Sequence, residues 1–68
     1  MHVYEIELKV LAGELKKSHT SYVREYVSRK NGPYVRPYNG RFGQGYAVLS
    51  PNWDSSKYSY ITYYVAPR

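Results

Sequence analysis

The chain has 68 residues, a length that holds one domain and no second one, so residues 1–68 are expected to form a single small basic domain. It contains no cysteine, which excludes disulfides and cysteine-ligated zinc, and its two histidines lack a nearby acidic cluster, so no cofactor is expected. Ten lysines and arginines against five acids give a net charge of +5. Because no apolar run is long enough to span a membrane, we expect a cytoplasmic or otherwise intracellular protein without a membrane partner.

The first ten residues contain the clearest periodic pattern. Tyr4, Ile6, Leu8 and Val10 alternate with charged residues. A period of two is typical of a strand with one buried face. We therefore predict a strand over residues 2–10.

Residues 12–30 support two interpretations. Apolar and aromatic residues at spacings of three and four favour a helix, and the Lys-Asn-Gly-Pro sequence of residues 30–33 is a typical helix end. Because the polar residues 18–21 favour a loop, we predict a loop followed by a short helix over residues 20–30. The alternative is a strand over residues 22–28 that turns at the Asn-Gly pair, although the following proline weakens it because proline donates no hydrogen bond.

The next part of the chain has the pattern of a β-hairpin. Residues 34–38 and 41–49 are predicted to be its two strands, with a turn at Asn39 and Gly40. Pro37 confines the first strand to a sheet edge, since it has no N–H for a ladder on that side.

The last predicted strand covers residues 57–65 and follows a turn-rich connection over residues 50–56. It is aromatic or β-branched on both faces, which is typical of a central strand or of one whose outer face binds something. The predicted fold class is therefore α+β, with a small antiparallel sheet of about four strands and one short helix. An all-β small barrel is the alternative.

Basic residues are concentrated in the middle of the chain. Residues 16–41 hold seven of the ten lysines and arginines and a single acid, Glu25. Clustered positive charge creates a local field that suits a polyanion, and the interleaved aromatics are of the kind that stack on unpaired bases. The candidate nucleic-acid-binding residues are Lys16, Lys17, Arg24, Arg29, Lys30, Tyr34, Arg36, Tyr38, Arg41 and Phe42.

These features predict a non-catalytic nucleic-acid-binding protein, with RNA favoured over DNA as the partner. No predicted helix is rich in side chains that read a major groove, and the aromatics lie in predicted strands. A single-strand binder or a ribonucleoprotein component, such as a ribosomal protein, fits this pattern, with a homodimer or a nucleoid association also open. The alternatives are an architectural DNA-binding protein and a small protein–protein interaction or viral accessory factor, because Tyr and Arg are also enriched at protein interfaces.

Residues suited to catalysis are sparse. His2 and His19 are the only imidazoles and there are five carboxylates, whereas a nucleophilic triad needs an acid that orients its base. We therefore expect no enzymatic activity, a small RNA-cleaving toxin being the remaining alternative. Two questions stay open: whether the tyrosines form core or binding surface, and whether Trp53 covers a core edge or anchors a partner.

Overall fold

The computed structural model describes residues 2–54 and 57–67. It contains one helix, α1 (Val3–Leu11), and four strands, β1 (Lys16–Val23), β2 (Tyr34–Gly40), β3 (Gly43–Ser50) and β4 (Ser59–Val65). All neighbouring strands are antiparallel, in the order β1-β4-β3-β2. The predicted α+β class is thereby confirmed, and the sheet is open with β1 and β2 at its edges instead of closing into a barrel.

The predicted strand over residues 2–10 is wrong, because this segment is helix α1. His2 caps the helix: its Nδ1 accepts the N–H of Tyr4 at 3.2 Å, and its own N–H donates to the Glu5 carboxylate at 3.1 Å. Val3 and Ile6 are three residues apart on the side that packs against the sheet, where Ile6 is only 1% exposed. The segment therefore contains apolar residues at helical spacing as well as the period-two alternation that led to the strand prediction.

The predicted helix over residues 20–30 is also wrong. Residues up to Val23 belong to the edge strand β1, and residues 24–33, here named the covering segment, are irregular. The alternative strand over residues 22–28 is right only as far as Val23. Polar residues suit an exposed edge strand, so the serines and threonines do not break it. The covering segment is fixed by Val27, which is 4% exposed and packs in one cluster with buried residues of β3 and β4.

β2 and β3 form the predicted hairpin, with Pro37 in an edge strand as expected. Its turn comes later than predicted. Gly40 pairs with Gly43, so the two loop residues are Arg41 and Phe42 and not the Asn-Gly pair before them.

β4 is central, which is one of the two roles expected for the last strand, and it begins at Ser59 instead of residue 57. At Gly45 of β3, a Cβ atom would lie 2.0 Å from the carbonyl oxygen of Tyr64 in β4. This position therefore requires a glycine. Of the predicted connection over residues 50–56, residues 55 and 56 lie outside the described part of the chain.

The strand register divides the sheet into two faces. On the helix face, Ile6 and Leu15 pack against Val48. On the opposite face, here named the basic face, the covering segment packs against buried residues of β3 and β4. The buried hydrophobic residues are Ile6, Leu15, Val27, Ala47, Val48, Leu49, Ile61 and Val65.

All ten tyrosines lie in the described part of the chain, and each is half-buried or exposed. The aliphatic core is therefore surrounded by tyrosines and not built from them. Trp53 is 70% exposed and stands outside this core.

Candidate nucleic-acid interface

The covering segment is held at the end of the sheet where β1 ends and β4 begins. The Ser59 hydroxyl donates to the carbonyl oxygen of Glu25. The Arg29 guanidinium donates to the carbonyl oxygens of Asn52 at 3.1 Å and Trp53 at 2.7 Å, and it lies 5.3 Å from the Trp53 ring centroid. The segment thus covers only that end of the basic face and leaves the end nearest the β2–β3 turn uncovered.

Four aromatic side chains meet on the uncovered half of the basic face, and they are here named the aromatic cluster: His19 of β1, Tyr38 of β2, Phe42 of the turn and Tyr63 of β4. Ring centroids are 5.0 Å apart for His19 and Phe42, 4.6 Å for Tyr38 and Tyr63, and 5.5 Å for Phe42 and Tyr63. The N–H of Phe42 donates to the Tyr38 hydroxyl at 3.1 Å, which holds the turn over the sheet. His19 is exposed and Phe42 is 37% exposed, so ring surface remains open to solvent.

A β-bulge in β1 helps to build this cluster. The register shifts between Lys17 and His19, so that Lys16 lies opposite Val65 and His19 lies opposite Tyr63. Side chains alternate along a regular strand, so residues 16 and 19 would otherwise point to opposite faces. The extra residue brings a cation and an imidazole onto the same face.

Two basic side chains flank the aromatic cluster, and neither has a carboxylate partner among the described residues. Arg41, in the turn, has its guanidinium carbon 6.0 Å from the Phe42 ring centroid. Lys16 lies in the cross-strand row that ends at Tyr38. Within the described residues neither forms an ion pair, since the ion pairs found there join Lys9 to Glu14 and Arg36 to Glu25. Their charge is therefore available to an anionic ligand.

Arg36 and Tyr34 both form hydrogen bonds with the Glu25 carboxylate. The Tyr34 hydroxyl donates a short hydrogen bond to the Glu25 carboxylate, and the Arg36 guanidinium donates to the same oxygen at 2.7 Å. The hydrogen bond from Tyr34, followed by that from Arg36, lowers the pKa of Glu25 below its ordinary value. The hydrogen bond to Glu25 in turn raises the pKa of Tyr34. Both side chains tie the covering segment to β2.

The predicted site residues separate into groups. Lys16, Tyr38, Arg41 and Phe42 come together at the uncovered half, whereas Lys17 lies opposite Tyr64 on the helix face. Arg24 is over the Tyr58 ring at 5.9 Å and is at the covered end with Arg29 and Lys30. The structure does not bring all ten residues into one surface.

Sequence reasoning missed two members of the cluster, His19 and Tyr63. His19 was weighed only as an isolated imidazole, because the bulge that aligns it with Lys16 leaves no pattern in the sequence. Tyr63 was one of several aromatics in a strand with two apolar faces. Its alternation with Ile61 and Val65 was the available signal.

Charge is unevenly divided between the two sides of the sheet. The basic face and its covering segment carry Lys16, Arg24, Arg29, Lys30, Arg36 and Arg41 against the single acid Glu25. The helix side carries Glu5, Glu7 and Glu14 against Lys9 and Lys17. Positive potential is therefore concentrated on the side that holds the aromatic cluster.

Within residues 2–54 and 57–67, no group of three or more His, Asp or Glu residues is placed to hold a metal ion. No helix in this part of the chain has the length and apolar character needed to cross a membrane. No protein-family model, curated protein or solved structure matches the chain.

Proposed function

We propose that this chain is a non-catalytic nucleic-acid-binding protein that stacks unpaired nucleobases on the aromatic cluster and binds phosphates with the surrounding lysine and arginine side chains. The observation that carries the proposal is the position of the cluster. It lies on the uncovered half of the basic face, next to two cations, Lys16 and Arg41, that have no carboxylate partner among the described residues. Phosphate contact and base stacking are the two interactions that sequence-tolerant single-strand binders combine.

An unpaired strand suits this surface better than a duplex. The helix that would enter a major groove, α1, is on the opposite side of the sheet and carries Glu5 and Glu7. Unpaired bases in RNA loops or single strands present the ring faces that an aromatic cluster can stack on. RNA is therefore the favoured partner, and the protein would act inside the cell, as a single-strand binder or as a ribonucleoprotein component.

The surroundings of His19 support binding over catalysis. Its ring stacks on Phe42 at 5.0 Å and lies 6.2 Å from Tyr63. Among the described residues no carboxylate hydrogen-bonds to it, whereas a general base needs such a partner to orient it. These ring contacts favour a role for the imidazole as a stacking surface.

The direct test is the salt dependence of binding to a fluorescent single-stranded RNA, with the single-stranded DNA and the RNA duplex of the same sequence compared. About four phosphate contacts to a single strand give a slope of log K against log salt of about −3. We expect the single strands to bind more tightly than the duplex. Absence of binding at low salt, or a slope near zero, would rule out the proposal.

Matched substitutions separate the two halves of the mechanism. Arg41→Gln should reduce the slope by about 0.7, while Lys9→Gln on the helix side should leave it unchanged. Phe42→Ala should cost about 1–3 kcal/mol of single-strand affinity, while Tyr22→Ala, at a more exposed aromatic on the helix face, should not. Melting temperatures measured for all four variants show whether a loss of binding is a loss of fold. Full affinity in folded Phe42→Ala would remove stacking from the mechanism.

A further inference from the structure

Helix α1 presents an apolar stripe on the side that faces away from the sheet. Tyr4, Leu8 and Leu11 are spaced by four and three residues, and they are 59%, 51% and 84% exposed. Here they are named the outer stripe. Isolated apolar residues are common on protein surfaces, but a contiguous stripe of large ones indicates an interaction site.

The outer stripe continues onto the sheet. A groove of about 350 Å³ next to it is lined by Glu7, Val10, Leu11 and Tyr64. Val10 is 36% exposed and Tyr64 is half-buried, so the apolar surface extends from the helix to the edge of its packing with β4. A side chain that packs on the stripe therefore has a recess beside it.

We propose that the outer stripe is the interface of a homodimer in which the α1 helices of two copies pack antiparallel. A two-fold axis near Leu8 places Tyr4 of each copy opposite Leu11 of the other, which closes both stripes against each other. In an antiparallel helix pair, equivalent flanks face each other. Glu5 of one copy then comes near Lys9 of the second on one flank, whereas on the other flank the Glu7 side chains of the two copies lie opposite each other next to the axis.

The division of charge favours this surface over the basic face as the place where a second copy binds. Two basic faces repel each other, so self-association through them is opposed. The helix side is close to neutral, with three acids and two basic residues, and it carries the outer stripe. The same acids, Glu5 and Glu7, oppose docking of the stripe on an anionic membrane surface.

A helix pair of this length forms a small interface, so the dimer should be concentration-dependent, with a dissociation constant of about the micromolar range. This inference does not rest on the proposed function, because no nucleic acid contributes to the interface.

The test is sedimentation equilibrium of the protein alone, over concentrations from about 1 µM to about 500 µM. We expect a monomer–dimer equilibrium for the unmodified chain and a monomer throughout for Leu8→Glu. Tyr26→Glu is the matched control, since Tyr26 is 64% exposed and belongs to the covering segment on the opposite side of the sheet from α1, and it should dimerise as the unmodified chain does. Leu11→Lys is a second variant at an 84% exposed position, where a change of fold is least expected.

Amide chemical shifts on dilution locate the interface. Signals of α1 and of Tyr64 should move, and those of the aromatic cluster should not. A chain that stays monomeric at the highest concentration overturns the proposal. So does a folded Leu8→Glu or Leu11→Lys variant that dimerises normally, or dissociation caused by Tyr26→Glu alone.

Discussion

Gly45 is the residue where β3 and β4 leave no room for a side chain. A Cβ atom there would lie 2.0 Å from the Tyr64 carbonyl oxygen and 2.9 Å from the Val65 Cα, both of which belong to a paired central strand. Since neither atom moves without breaking the ladder, Gly45→Ala should lower the free energy of unfolding by about 3 kcal/mol, the upper end for overpacking. Urea denaturation measures this loss.

The control for Gly45 is Gly32→Ala in the covering segment. Nothing lies within 4 Å of a Cβ at Gly32, but its φ of +76° is unfavourable for an L side chain. The expected loss is about 1 kcal/mol, from the backbone conformation alone. A loss at Gly45 no larger than at Gly32 would contradict the steric argument.

Glu25 should make stability depend on pH. Because the hydrogen bonds from Tyr34 and Arg36 lower its pKa in the folded chain, folding favours the ionised carboxylate. The stabilisation is complete above the ordinary pKa of 4.5 and is lost as pH falls through the lowered value. Glu25→Gln should therefore flatten this part of the stability profile, measured by thermal unfolding at a series of pH values.

The carboxylate of Glu7 provides the comparison, since it is exposed on α1 without a hydrogen-bond partner in the described part of the chain. Glu7→Gln should keep the acid dependence of the unmodified protein. An unchanged profile in Glu25→Gln would show that the network with Tyr34 and Arg36 does not form in solution.

Among the elements, α1 has a single buried residue, Ile6, with Val3 packed beside it at the sheet. Ile6 is 1% exposed and packs against Leu15 and Val48, so Ile6→Ala should cost about 2–5 kcal/mol. Leu11→Ala, at an 84% exposed position of the same helix, should change stability by less than about 0.5 kcal/mol in dilute protein. Similar losses in the two variants would mean that α1 does not pack through Ile6.

The same helix shows why part of the fold was predictable and part was not. Ile6 and Val10 fit both an alternation of period two and a helical stripe, so the local pattern did not decide between them. The rest of the sheet decides between strand and helix. β1 occupies the edge position beside β4, and the apolar residues on the helix face are then buried by α1. The β2–β3 hairpin was predicted because its signal is local, an Asn-Gly pair between two β-like segments, although the turn itself lies two residues later.

The candidate site also has a part that the sequence predicted and a part that it did not. Tyr38, Arg41 and Phe42 were found because they are close together in the sequence around one turn. His19 and Tyr63 join them through pairing of β1 with β4, and the bulge that sets this register has no sequence signature. Contacts between distant segments are what a single sequence does not show.

At the scale of the molecule, the two proposals together predict bridging. In a dimer joined through the outer stripe, the two basic faces point away from each other, so each copy can hold its own strand. An immobilised single-stranded RNA should then retain a second, fluorescent RNA through the protein.

Leu8→Glu separates bridging from binding. It should still bind one strand with normal affinity, because Leu8 lies on the opposite side of the sheet from the aromatic cluster, but it should not retain the second strand. Bridging by monomeric Leu8→Glu at the level of the unmodified protein would contradict this expectation. The readout is the fluorescence retained after washing.

The central position of β4 has a consequence for how the chain assembles. β1 and the β2–β3 hairpin make no ladder with each other, and each is joined to the sheet only through β4, the last strand in the sequence. Before β4 arrives, the hairpin is at best marginally stable and β1 has no partner. Val23 pairs with Ser59, a contact that closes a long loop and is slow to form. During synthesis β1, β2 and β3 must therefore wait for β4, and the sheet should form in a single cooperative step once β4 is free to pair.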